Sequence, residues 1–378
     1  MIYHKLDRPR NLPVCAYERY KMVKIKIAGG FVFVQVFILR VFLIFLTVSV
    51  SGGNLGLAQD GNPAGHSEST QGSTWIVALD GTGQFMSIQE AIDQAHNGDT
   101  ILIKAGNYTE DVTVHSKEGL KVVGEGRKKV FIAGLNRVGT LHIGKWPYGA
   151  TNVEISGMSI QQHGGLGVGI FNGAGVTLKD IQVNGLIFGQ QVQRVRIEDC
   201  IVGGSETTGL AFADSEAMLI GNIIHDNDHG VSIAGNSKVT LQYNIITRSL
   251  FEAVLVTDKA QASLVQNTLV NNGGGVKFQD HSSGEIRGNI ISGSKVGVTY
   301  SSTGSVTSSF NAFYNNGAHD QIQGSETTHV SKNNSTSDLY VQPHFVAPAS
   351  GDFRLQKDSP LLNVGDFAFL GALGPVDQ

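Results

Sequence analysis

The sequence is poor in the residues that most often staple or interrupt a fold. Two cysteines in 378 residues exclude a disulfide framework and a cysteine-rich zinc or iron–sulfur site. Eight prolines and the lack of a strict Gly-X-Y period exclude a collagen-like chain. Charged residues make up only 16% of the chain and hydrophobic ones 41%, which argues against disorder. Acidic and basic residues nearly cancel, leaving a net charge of −4, but they are unevenly placed. The first 58 residues hold eight Lys or Arg and two Asp or Glu, so the remainder carries 20 basic and 30 acidic residues, a net charge of −10. That sign argues against nucleic acid as a partner. Glycine is what the chain has in excess: 48 residues, about double the usual share.

Residues 31–50 are almost wholly apolar and follow Lys24 and Lys26. Small residues close the stretch at Gly56-Leu57-Ala58, the pattern of a signal-peptidase site. Residues 1–58 are therefore expected to be a signal peptide cleaved near Ala58, with Met22 an alternative start. An uncleaved anchor is the competing reading, since about 20 apolar residues suffice to span a bilayer; Arg40 in the middle weighs against it. Both readings place the body outside the cytoplasm, secreted, periplasmic or on the cell surface. Residues 59–73, rich in Gly, Ser, Gln and Asn, are expected to be a linker. After cleavage Cys200 alone remains, flanked by Ile197 and Ile201, which predicts a buried thiol.

The body repeats. Asn222, Asn244, Asn267, Asn289 and Asn311 are separated by 22, 23, 22 and 22 residues, and Gly157, Asp180 and Asp199 are assigned the same place upstream. Val231, Val254, Val276 and Val298 form a second set, and Ile233, Val256, Phe278 and Tyr300 a third. Three sets sharing one period identify a solenoid. Short alternations such as KVTLQYN predict strands rather than helices. Three strands per coil, stacked coil on coil, predict an all-β, single-stranded right-handed parallel β-helix with three parallel sheets and coils of about 22 residues. Glycine and asparagine at the bends fit the positive φ that sharp turns need. The stacked asparagines are expected to hydrogen-bond along the stack.

The ends depart from the period, as solenoids require. Near the start, SIQEAIDQA places Ile88, Ala91, Ile92 and Ala95 on one helical face, predicting an N-terminal capping helix. The domain is expected to span 74–378, with the cap and first coil at 74–115, repeats at 116–316 and a C-terminal cap at 317–378.

DGTGQFMSIQEAIDQAHNGDTILIKAGNYTEDV resembles the opening of pectin-lyase-like proteins, especially pectinesterases and pectate lyases. GDFRLQKDSPLLNVGD resembles the closing segment of many exported β-helix proteins. The resemblance implies the β-helix fold and a polysaccharide as partner, but no single reaction. Pectinesterases carry a catalytic Asp directly before Phe-Ile-Phe-Gly; here Gly185 precedes Leu186-Ile187-Phe188-Gly189. Their Gly-Tyr-Gln-Asp tract is absent, as are the Asp-Pro-His-Asp tract of mannuronan epimerases and the paired aspartates of polygalacturonases. Pectinesterase activity is not expected.

Two turn clusters carry the remaining chemistry. Asp214, Asn236, Asp258 and Asp280 lie 22 residues apart, which would stack Asp258 and Asp280 on neighbouring coils about 5 Å apart. Such a pair would bind a cation or share a proton, with Lys259 as a base and His281 toward substrate. The turn HDNDHG supplies His225, Asp226, Asp228 and His229, and adjacent coils add Glu206, Arg248, Glu252 and Lys295. In this cluster Asp226 and Asp228 are candidate metal ligands. Arg248, Lys295 and His229 are candidate catalytic groups, and His225, Glu206 and Glu252 would contact substrate. A calcium ion that acidifies the C–H beside a uronate, with a base to take the proton, would make a polyuronate lyase. No cofactor other than Ca2+ is implied. The same residues are ordinary solvated turn formers, which supports the alternative of a non-catalytic surface or periplasmic structural protein. A monomer is expected.

Overall fold

The computed structural model describes residues 22–27, 30–36, 46–48, 72–135, 139–145, 148–301, 303–322 and 337–375. The chain divides into residues 1–68 and 69–378. In the first unit, strands Met22–Ile27, Gly30–Val36 and Leu46–Val48 pair antiparallel. Among the described residues no helix is long and apolar enough to cross a membrane. The expected cleavage site near Ala58, and all of the expected linker except its last two residues, lie outside the described residues. Ser73, placed in that linker by the sequence, is already tied to the fold: its N–H donates to Asp99 Oδ1 at 2.7 Å.

The second unit is a right-handed parallel β-helix. Each coil contributes a strand to a first, a second and a third sheet in turn, as in Lys238–Gln242, Ile245–Thr247 and Glu252–Val256. The first sheet has 11 strands, from Thr74–Val77 to Val306–Ser309. The second and third are joined where Ser159–Phe171 and Gln182–Gln190 run through both. Pairing is in register: Val231 faces Val254, Val254 faces Val276 and Val276 faces Val298. These are the sequence repeats seen edge-on. Inward side chains form one continuous core from Val77 to Phe313. Each fully buried aliphatic or Phe side chain contributes about 1.5–3 kcal/mol.

The asparagine stack runs inside the bend between the first and second sheets. Asn222, Asn244, Asn267, Asn289 and Asn311 are fully buried. Each Oδ1 accepts the backbone N–H of the residue one coil back, as Asn267 does from Asn244 at 2.9 Å, and each Nδ2 donates to a first-sheet carbonyl. Asp338 closes the stack by accepting from Asn311 N–H at 2.7 Å. At the other end Asn222 receives Cys200 N–H at 2.9 Å. The upstream assignment shifts by one residue. Gly157, Asp180 and Asp199 align with Gly221, a positive-φ turn position. The stack itself continues into Cys200, Ile181 and Met158, so beyond Cys200 apolar packing replaces the amides. Cys200 is buried, and desolvation pushes its thiol up to about 12.

A second internal stack, absent from the sequence reading, lies at the bend between the second and third sheets. Ser205, Asn227, Ser249, Asn272, Ser294 and Asn316 alternate there. Asn227, Asn272 and Asn316 accept the N–H of Ser205, Ser249 and Ser294 at 3.0, 2.9 and 2.9 Å.

The N-terminal helix is Ile88–Gln94, with Ile88, Ala91, Ile92 and Ala95 buried. Glu110 caps its first turn, accepting from the N–H groups of Ile88 and Gln89 at 2.9 and 3.0 Å. Carboxylates favour this end, where backbone donors are unpaired. Ala318–Ile322 is still a third-sheet strand, paired with Val296–Tyr300. After Asp338 the chain folds back over the outside of the second sheet. Leu355, Leu361 and Leu370 pack on Ile290 and Ala312, and Phe353 and Ala372 on Ile245 and Val270. The outward residues of that sheet are apolar here, so a cover is required to keep them from water.

Candidate functional site

The third sheet and the turns leading into it carry the densest titratable chemistry. Outward positions on neighbouring strands are His229 on His229–Ala234, Glu252 on Glu252–Val256 and Lys277 on Gly274–Phe278. Glu252 lies between the other two. His229 Nδ1 is 3.2 Å from one carboxylate oxygen, close enough for an ion pair though not a formed hydrogen bond, and Lys277 Nζ is 3.3 Å from the other. All three are mostly covered, with side-chain exposures of 21–27%. Burial pushes the Glu252 carboxyl up, but the His229 contact and the Lys277 charge outweigh it and hold the group at about 2.

The His229 ring stacks on Phe251, with centroids 5.1 Å apart. Phe251 and Leu250 are exposed at the head of the turn. They form one wall of an open groove of about 340 Å³, shared with Glu252, Lys277, Lys295 and Thr299. Gly274 supplies the depression. It occupies the outward position opposite Glu252, so no side chain fills the space there.

His225, Asp226 and Arg248 form a separate group on the turn ridge. Arg248 grips Asp226 through Nε and Nη2 at 2.8 and 2.7 Å, and His225 Nδ1 is 2.7 Å from Asp226 Oδ2. The Arg248 hydrogen bond holds Asp226 at about 2, and Asp226 in return raises the Arg248 guanidinium. Arg248, a candidate catalytic group, thus has Nε and Nη2 engaged by Asp226 and its proton held more tightly, which disfavours a role as a base. Asp226 likewise has its oxygens occupied. Asp228 in the same turn and Glu206 in the turn one coil back have no side-chain partner among the described residues.

The second predicted cluster lies at the opposite edge of the third sheet. Asp214, Asp258 and Asp280 adopt positive φ of 48°, 58° and 54°. Their carboxylates serve the turns: Asp258 accepts Gly235 N–H at 2.9 Å and Asp280 accepts Asp258 N–H at 3.3 Å. Gly235 rather than Asn236 holds the stacked position, because Ala213 pairs with Ala234. Lys259 and His281 are exposed, with no side-chain partner among the described residues. Among the described residues, no three His, Cys, Asp or Glu gather as a metal site. The paired-aspartate and Asp226–Asp228 sets do not converge.

Sequence reasoning thus singled out His229, Glu252 and Lys295 but missed Lys277, Phe251 and Gly274. The usable signal for Lys277 was its outward place in GGVKF, between Val276 and Phe278 of the two core repeats.

The family described as "Right handed beta helix region" matches residues 175–313, and the family described as "Pectinesterase" matches residues 74–179. The latter match ends before Gly185 and the Leu186-Ile187-Phe188-Gly189 tract. A comparison with curated proteins finds no match. Among solved structures, the A-module of Azotobacter vinelandii mannuronan C-5 epimerase AlgE4 is 16% identical, covering 68% of this chain and 95% of that one with a TM-score of 0.44. Pectate lyase Pel9A is 11% identical over 81% of this chain and 97% of that one, with a TM-score of 0.44. Pectin methylesterase from carrot is 13% identical over 73% and 91%, with a TM-score of 0.37. With in-register parallel coils, an internal asparagine stack and these two family matches, the chain is a right-handed β-helix protein whose N-terminal part is similar to pectinesterases.

Proposed function

We propose that the third-sheet groove binds an anionic polysaccharide, and that the protein does so outside the cytoplasm as its basic, apolar leader suggests. The observation that carries the reading is the His229–Glu252–Lys277 row beside exposed Phe251. Coils spaced about 4.8 Å apart present groups at nearly the repeat of an extended sugar chain. Lys277 and Lys295 offer ammonium groups to carboxylates, and Phe251 offers a flat apolar face to a sugar ring. Gly274 leaves room for the chain to lie against the sheet.

Glu252 at about 2 stays ionised at neutral pH, so it has no proton to give and is a weak base. Its role in this reading is to hold His229 and Lys277 in place. Among the described residues its side-chain partners are His229 and Lys277, with no second carboxylate paired to it. Recognition rather than cleavage is the activity these residues support. Calcium enters as an ion that would bridge substrate carboxylates, tested by its addition.

The test is affinity electrophoresis on polygalacturonate, alginate and a neutral glucan, with and without calcium, alongside absorbance of unsaturated uronates. Retention on an acidic polymer is expected, with no unsaturated product. Lys277→Ala combined with Lys295→Ala should weaken it at least tenfold. Absence of retention on both acidic polymers, or retention untouched by the double substitution, overturns the reading.

A further inference from the structure

The turns that bound the groove form a ridge, and a second cleft lies on its far side. It has a volume of about 550 Å³ and is walled on one side by Asn271, Ser292, Tyr314 and Asn315 of the coils. The folded-back C-terminal segment supplies the other wall, with Gln342, Pro343, His344, Pro348 and Asp358. We propose that this cleft is a second saccharide site, selective for neutral sugars, and independent of the anionic groove.

Four observations support this. The volume falls within the range of small-molecule sites. The side-chain amides of Asn271, Asn315 and Gln342, and the Tyr314 hydroxyl, have no partner among the described residues. An amide presents both donors and acceptors, which suits sugar hydroxyls that do the same. The Tyr314 ring and the prolines give apolar faces for the C–H side of a pyranose. The lining includes no Lys or Arg, and its one carboxylate, Asp358, lies 3.4 Å from His344. A uronate there would meet Asp358 with no fixed cation to oppose it, whereas a neutral sugar incurs no such repulsion.

The C-terminal wall is held in shape. Gln356 N–H donates to His344 O at 2.8 Å, Gln356 Nε2 to Phe345 O at 2.9 Å and Ser359 Oγ to Pro343 O at 2.6 Å. A fixed wall lowers the ordering cost of binding.

The experiment is calorimetric titration of the full chain with cellohexaose, xylohexaose and maltohexaose, with oligogalacturonate as the charged comparator. At least one neutral sugar should bind. Tyr314→Ala should weaken it at least tenfold, and so should Asn315→Gly, which keeps the left-handed turn at φ 52°. Lys277→Ala should leave that binding unchanged while weakening retention on acidic polymers. Should Tyr314→Ala fail to fold, Tyr314→Phe and Asn315→Gly carry the test. The proposal falls if none of the neutral sugars binds, or if binding survives in folded variants. Either result leaves acidic-polymer retention, and so the first groove, to be judged separately.

Discussion

Replacing Asn267 by alanine tests the stack that holds successive coils together. Asn267 is fully buried. Its Oδ1 accepts both the backbone N–H and Nδ2 of Asn244 at 2.9 Å, and its Nδ2 donates to Leu241 O at 2.9 Å. Truncation strands the Asn244 N–H and the Leu241 carbonyl in the core. Asn289 Oδ1 keeps the Asn267 backbone N–H at 2.8 Å and is less affected. Two orphaned buried groups at about 1–3 kcal/mol each, with a small cavity, put the loss at about 4 kcal/mol. At about 2 °C per kcal/mol for a domain of this size, Tm should fall by about 8 °C. Scanning calorimetry measures it, with Asn236→Ala as the control. Asn236 is exposed and its side chain donates only to Asp214, so its loss should cost no more than about 0.5 kcal/mol. A shift for Asn267→Ala no larger than the control would refute the idea that the amide stack carries stability.

Two further outcomes follow from the site. Glu252 has a folded value of about 2 against an ordinary 4.5, so its contribution is fully present above about pH 4.5 and is lost as pH falls toward 2. That contribution is at most about 3 kcal/mol. Lys277→Met should raise the carboxyl and move the acid-unfolding midpoint upward, read by urea melts at several pH values; an unchanged midpoint contradicts the ion-pair account. In the GGG run, a Cβ on Gly275 would lie 2.0 Å from the Gly297 carbonyl oxygen, whereas one on Gly274 would lie 3.3 Å from a side-chain atom, Glu252 Cγ, which a small rotation relieves. Gly275→Ala should therefore destabilise by about 3 kcal/mol or more and Gly274→Ala by little, in thermal melts of the two variants; equal losses contradict the packing.

Much of the fold was legible because each coil solves the same packing problem with the same residue types. The asparagines recur one per coil since each must satisfy the same backbone groups at the same bend, so the period is visible without a structure. The Ser–Asn stack leaves a weaker mark in the sequence because its amides come on every second coil. Upstream of Cys200 the register slipped by one, since apolar residues replace the amides and remove the marker. The site was less legible. Arg248 and Asp226 are 22 residues apart, and their bidentate pairing ties a candidate catalytic group to a candidate metal ligand. Asp258 and Asp280 stack on neighbouring coils as spacing predicted, but their oxygens face turn N–H groups.

The sequence by itself determined the coil length, the three strands per coil, the amide stack and the capping helix, because those depend on local pattern repeated at a constant interval. The tertiary structure alone decided that Lys277 meets Glu252 and His229. That contact runs diagonally across three strands, where side-chain reach rather than spacing selects partners. It also decided that the C-terminal segment, after Asp338 and Leu339 close onto the last coil, runs back along the second sheet. The outward apolar residues Ile245, Val270 and Ile290 need a cover, and only the folded chain shows which segment provides it.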